Sequence, residues 1–115
     1  MTTPTIDRAT FDALTETTGA EFVTELVDTF LQEAPAMLKE LRRTLAAQDA
    51  DSFRRAAHSL KSNSNTFGAL TLGAMARDLE LTGVAKVIER GGQTLDALED
   101  EYVRVTAALT ELRHA

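Results

Sequence analysis

Residues 20–48 carry the feature that most restricts the fold. Val23, Leu26, Val27, Phe30, Ala34, Met37, Leu41 and Leu45 recur at spacings of three and four. On a helix that spacing gathers them into one apolar stripe. Pro35 lies inside the pattern. It removes a backbone donor and crowds the carbonyl of Leu31 one turn earlier. The stripe keeps its phase across the proline, so the sequence predicts a kinked helix and not a loop.

The rest of the chain repeats this logic. Residues 7–17 read as a short helix capped by Asp7 or Thr5, with Phe11 and Leu14 beside Ile6 and a stop at Gly19. A tight turn at 48–51 offers Asp49 or Asp51 as the next N-cap. In 51–67, Phe53, Ala57, Leu60, Ser64 and Phe67 share a stripe. In 70–82, Leu72, Met75, Ala76 and Leu79 form an inner face, leaving Arg77, Asp78 and Glu80 outside. Met75 reads as core filler and not as a ligand. Leu95, Leu98, Tyr102, Val105, Leu109 and Leu112 repeat as in a bundle seam. On residues alone the start of this last helix is open, because Gly83 and the pair Gly91-Gly92 can each break it. The fold class expected is all-α: an antiparallel up-down four-helix bundle with a kinked long second helix and a short additional N-terminal helix.

Composition narrows the chemistry. A chain of 115 residues is read as a single domain with one core. It has no cysteine and two histidines, so disulfides and thiolate metal sites are excluded and a histidine-based metal cluster is not expected. The start, MTTPTIDRATFD, has no apolar run, and no stretch approaches the ~18 apolar residues of a membrane span. A cytoplasmic, free-standing chain is expected. The net charge of −6 argues against nucleic acid as the main partner. Yet residues 39–61 carry six basic residues against three acidic ones, a local patch suited to an acidic protein surface.

His58 stands out within 51–67. It lies about 140° round the helix from Phe53, so it faces away from the stripe. Arg54, Arg55, Lys61 and Ser62 are its neighbours one turn away. A neutral imidazole has a nucleophilic nitrogen that can carry a covalent group. Adjacent cations stabilise a phosphoryl group, and a small residue such as Ser62 leaves room for a second protein.

AAHSLKSNSNTFGA, residues 56–69, resembles the signature of histidine-containing phosphotransfer (HPt) domains: His-x-Leu-Lys, small polar residues, then Gly-Ala seven residues after the lysine. His58, Leu60, Lys61, Gly68 and Ala69 fall in register. Ser62 departs from the glycine of many members but is small enough for the same steric purpose. The resemblance implies that His58 is the phosphoacceptor and that Lys61 supports the phosphoryl group. It keeps the polar run Ser62–Thr66 helical, with Gly68 as the helix end. It places the last interhelix turn at Gly83–Lys86, so that the last helix spans 87–113. It also implies that the N-terminal helix contributes to partner docking.

The function expected is a phosphorelay intermediate. It accepts a phosphoryl group on His58 from a receiver aspartate or a hybrid histidine kinase and passes it to a response-regulator aspartate. Arg54, Arg55, Ser62 and Asn65 form the supporting rim. No carboxylate cluster is expected round His58, so the Mg²⁺ of in-line transfer should come from the partner receiver, and the chain itself should hold no metal or cofactor. Lacking a Gly-rich nucleotide loop, the chain is read as a carrier without kinase activity, and as a monomer. The alternative is a helical-bundle adaptor that binds a receiver or kinase domain without being phosphorylated. A hydrolase using His58 as base would need an orienting carboxylate, and none stands within a turn of it in sequence. His114, at the C-terminus, is given no role.

Overall fold

The computed structural model describes residues 5–113. Within them lie six helices and no strand: α1 Arg8–Thr18, α2 Ala20–Ala46, α3 Ala50–Thr66, α4 Leu70–Thr82, α5 Val84–Arg90 and α6 Gln93–Arg113. His114 falls outside the described residues.

α2 runs unbroken through Pro35. Val23, Val27, Phe30, Ala34 and Leu41 of its stripe are buried, with Leu26, Met37 and Leu45 packed against them. Pro35 is on the exposed side, where a missing backbone donor is least costly. Asp49 caps α3 by accepting from the Ser52 amide at 3.2 Å. α3 lies between α2 and α4 and buries Phe53, Ala57, Leu60 and Ser64. α6 packs on both α4 and α2, so α2, α3, α4 and α6 close a ring of contacts round one core. Arg42 of α2 reaches Asp96 and Glu99 of α6, each at 2.7 Å. This cross-link is exposed, so it contributes roughly 0–1 kcal/mol and the apolar core carries the fold.

The polar run Ser62–Thr66 is helical, as expected. Its weak propensity is overridden because Ser64 lies on the buried stripe and Phe67 follows it into the core, against the Phe30 ring at 5.4 Å between centroids.

The last helix differs from expectation. It begins at Gln93 and not at residue 87. Residues 84–90 form their own short helix, α5, bounded by Gly83 at φ 87° and Gly91 at φ 83°. Both glycine sites break the chain. Val84 and Val87 bury against the core, which keeps the segment helical between them, while two adjacent glycines cost about 2 kcal/mol within a helix.

Gly68 fixes where α1 enters. Its carbonyl accepts the Asp7 amide at 2.8 Å, and the Asp7 carboxylate in turn caps α1 through the Thr10 amide at 3.1 Å. Gly68 has φ 84°, and a Cβ there would stand 2.7 Å from the Asp7 carbonyl oxygen. Gly68→Ala therefore combines left-handed strain with a backbone clash. It should cost about 2 kcal/mol, read as a lower denaturant midpoint with unchanged m-value.

Candidate functional site

His58 is held on the middle of α3, its side chain 58% exposed. Its Nδ1 lies 2.7 Å from Oε2 of Glu80, on α4. Lys61, one turn further along α3, donates from Nζ to the other oxygen, Oε1, of the same carboxylate at 3.0 Å. The Glu80 side chain is only 13% exposed and that of Lys61 22%. One half-buried carboxylate thus bridges an exposed imidazole and a sheltered ammonium.

The Lys61 hydrogen bond, and after it that of His58, holds the Glu80 carboxyl below its ordinary range. An ionised carboxylate only accepts, so His58 Nδ1 must be the donor. In the neutral ring the lone pair then lies on Nε2. Glu80 thereby fixes tautomer and ring orientation together. The sign of the pH linkage follows. A depressed carboxyl value stabilises the fold above its unfolded value of about 4.3, and that contribution is lost as pH falls through the lower folded value. In denaturation at a series of pH values, wild type should exceed Glu80→Gln in stability near neutrality. The difference should close in acid; a difference that grows as pH falls would contradict this.

Glu80 was placed on the outer face by the periodicity of its own helix, and no carboxylate was expected beside His58. The structure corrects both. A single helix's pattern does not show which side groups a neighbouring helix brings close. The usable signal was the α3–α4 hairpin: counted outward from its turn at Phe67–Ala69, residues 58 and 80 stand at nearly equal distance and face each other.

The remaining site candidates divide. Arg54 and Arg55 both pair with Asp51, Arg54 at 3.0 Å. Arg43 pairs with Glu40, and Arg42 with α6. Much of the basic patch is therefore neutralised by local partners, and Lys61 is the cation that shares a partner with His58. Ser62 is exposed one turn beyond His58. Asn65 stands two turns on, where a Cβ on Gly73 of α4 would meet its Oδ1 at 2.0 Å; it lies in the α3–α4 seam. Gly68 ends the helix, about 15 Å along the axis from His58. Beside His58, between α2 and α3, runs a shallow groove of about 420 Å³ lined by Ala36, Met37, Glu40, Ser52, Arg55, Ala56 and Ser59. Among the described residues no group of three or more acidic or histidine side chains is arranged to hold a metal, and no helix is long and apolar enough to cross a membrane.

An oriented, exposed imidazole on a helical scaffold, with a cation one turn away, defines a class of phosphoryl-carrying helical proteins. The Hpt domain family model matches residues 25–115, and the chain belongs to that family, the histidine phosphotransfer proteins of phosphorelays. Among solved structures it is similar to histidine-containing phosphotransfer protein B (HptB) from Pseudomonas aeruginosa PAO1, with TM-score 0.88, 26% identity and coverage of 98% of this chain and 97% of that one. The fold is also shared with the HPT domain of the Hpt sensor hybrid histidine kinase from Shewanella, at TM-score 0.74 and 16% identity over 94% and 92% of the two chains. Comparison with curated protein sequences gave no match.

Proposed function

We propose that His58 accepts a phosphoryl group on Nε2 from a receiver aspartate, or from a hybrid histidine kinase, and passes it to the aspartate of a response regulator. The observation that carries this is the Glu80 carboxylate on Nδ1 at 2.7 Å, which leaves Nε2 as the nucleophile on the solvent side. In the accepting step the Nε2 lone pair attacks phosphorus in line. The N–P bond forms, the P–O bond to the aspartate breaks, and the electron pair leaves with that carboxylate. Positive charge develops on the ring, and Glu80 stabilises it through Nδ1–H. Donation to the next aspartate is the reverse.

Lys61 has three ammonium donors, so it can hold Glu80 and still reach the phosphoryl oxygens. Lys61→Ala should slow transfer roughly tenfold or more, the worth of one charge-assisted hydrogen bond, in a rapid-quench assay with a phosphorylated receiver. A rate within twofold of wild type would remove Lys61 from the mechanism.

The Mg²⁺ for the transfer is assigned to the partner receiver, and the chain is a carrier with no kinase activity of its own. It acts as a cytoplasmic monomer, with α2, α3, α4 and α6 as an antiparallel up-down bundle bent at Pro35. The contact ring and the short α2–α3 and α3–α4 turns support that arrangement. The α2–α3 groove flanking His58 offers the docking partner apolar contacts beside the acceptor. The test is a relay in vitro: phosphorylated receiver domains and hybrid kinases from the same source, mixed with the purified chain, should produce an acid-labile, base-stable phosphoryl group on it. A folded chain that no donor labels would overturn the proposal.

A further inference from the structure

The helical turn that follows His58 presents a second group to the same partner. Ser62 is four residues on and, like His58, exposed. That spacing sets their Cβ atoms about 5–6 Å apart on one face. The Ser62 carbonyl is engaged, accepting the Thr66 hydroxyl at 2.9 Å. The Ser62 hydroxyl itself has no protein partner among the described residues. Between this hydroxyl and His58 Nε2 there is room for one bridging water, at ordinary hydrogen-bond lengths to both.

The side on which that water sits decides what it can attack. A nucleophile in line with an aspartyl phosphate approaches from the face opposite the departing aspartate oxygen, which is the face His58 occupies. A water shared by His58 and Ser62 lies on that face. Once the phosphoryl group is on Nε2, the in-line position for breaking the N–P bond lies on the far side, beyond the reach of Ser62. The geometry therefore selects the receiver's aspartyl phosphate, and not the phosphohistidine, as the group open to this water.

We infer that the chain also hydrolyses the aspartyl phosphate of the receiver it docks, with Ser62 positioning the water and His58 as the base. This rests on the phosphotransfer reading, because it uses the same docked complex. The water oxygen bonds to phosphorus, the P–O bond to the aspartate breaks, and the electron pair leaves with the carboxylate. One water proton passes to Nε2, and the imidazolium so formed is held by Glu80 through Nδ1–H until the proton is released to phosphate or solvent. Carrier and hydrolase are then two outcomes of one complex, set by whether imidazole or water stands in line.

The experiment uses the full chain and a receiver domain phosphorylated on aspartate with radiolabelled phosphate. Initial inorganic phosphate release is measured beside phosphohistidine formation, and corrected for phosphate lost by the phosphorylated chain alone. In Ser62→Ala, a good helix former at an exposed site, the ratio of phosphate released to phosphohistidine formed should fall about fivefold, the loss expected for one positioning hydrogen bond. An unchanged ratio overturns the inference. So does phosphohistidine formation with phosphate release no faster than from the receiver alone, and that result leaves the carrier reading intact. Neither product appearing would overturn both readings.

Discussion

His58→Gln abolishes phosphorylation of the chain while leaving its helical circular dichroism and unfolding midpoint close to wild type. The side chain is more than half exposed and contributes nothing to the apolar core, so its removal has little to destabilise. Glutamine is polar and of similar reach, and it can still bond Glu80. It has no nucleophilic ring nitrogen, so no substitute for the N–P bond exists. The effect on labelling should be complete. Residual acid-labile label above a few per cent of wild type would mean that another group carries the phosphoryl.

Phe53→Ala should produce the opposite pattern. Phe53 is fully buried on α3, one and a half turns before His58 and on the other side of the helix. Removing its ring costs about 3–5 kcal/mol through lost transfer energy and the cavity left behind. For a domain of this size that lowers the melting temperature by more than about 10 °C. Measured well below the new midpoint, phosphotransfer should persist, because His58, Lys61 and Glu80 meet on the face away from Phe53. A variant of nearly native stability would show that the α3 stripe does not anchor the core. These two substitutions on one helix separate what holds His58 in place from what His58 does.

Much of this division was legible in the sequence. Three- and four-residue spacing picked out the buried stripes of α2, α3 and α6, because burial on a helix leaves a periodic mark on the chain itself. The exposed position of His58 followed from the same periodicity. Two features were not legible that way. Periodicity cannot choose between two glycine breaks when both are used, and Gly83 and Gly91 each end a helix here, with α5 held between them by Val84 and Val87. Nor does it show what crosses from one helix to the next. Glu80 is polar and flanked by exposed residues, so its own helix marks it as outward; only the register of the α3–α4 hairpin brings it under His58. Arg54 and Arg55 illustrate a third limit. Their spacing from His58 suggested phosphate helpers, but Asp51 stands at i−3 and i−4 from them and both pair with it. The local pairing rule was as available as the longer-range reading.

The central claim is that Glu80 occupies Nδ1 and leaves Nε2 of His58 to take the phosphoryl group. Phosphorus and nitrogen NMR of the chain, ¹⁵N-labelled in histidine and phosphorylated by its receiver, tests it most directly. Phosphorus coupled to Nε2 of His58 is the predicted result. Phosphorus on Nδ1, on His114 or on a side-chain oxygen would contradict it.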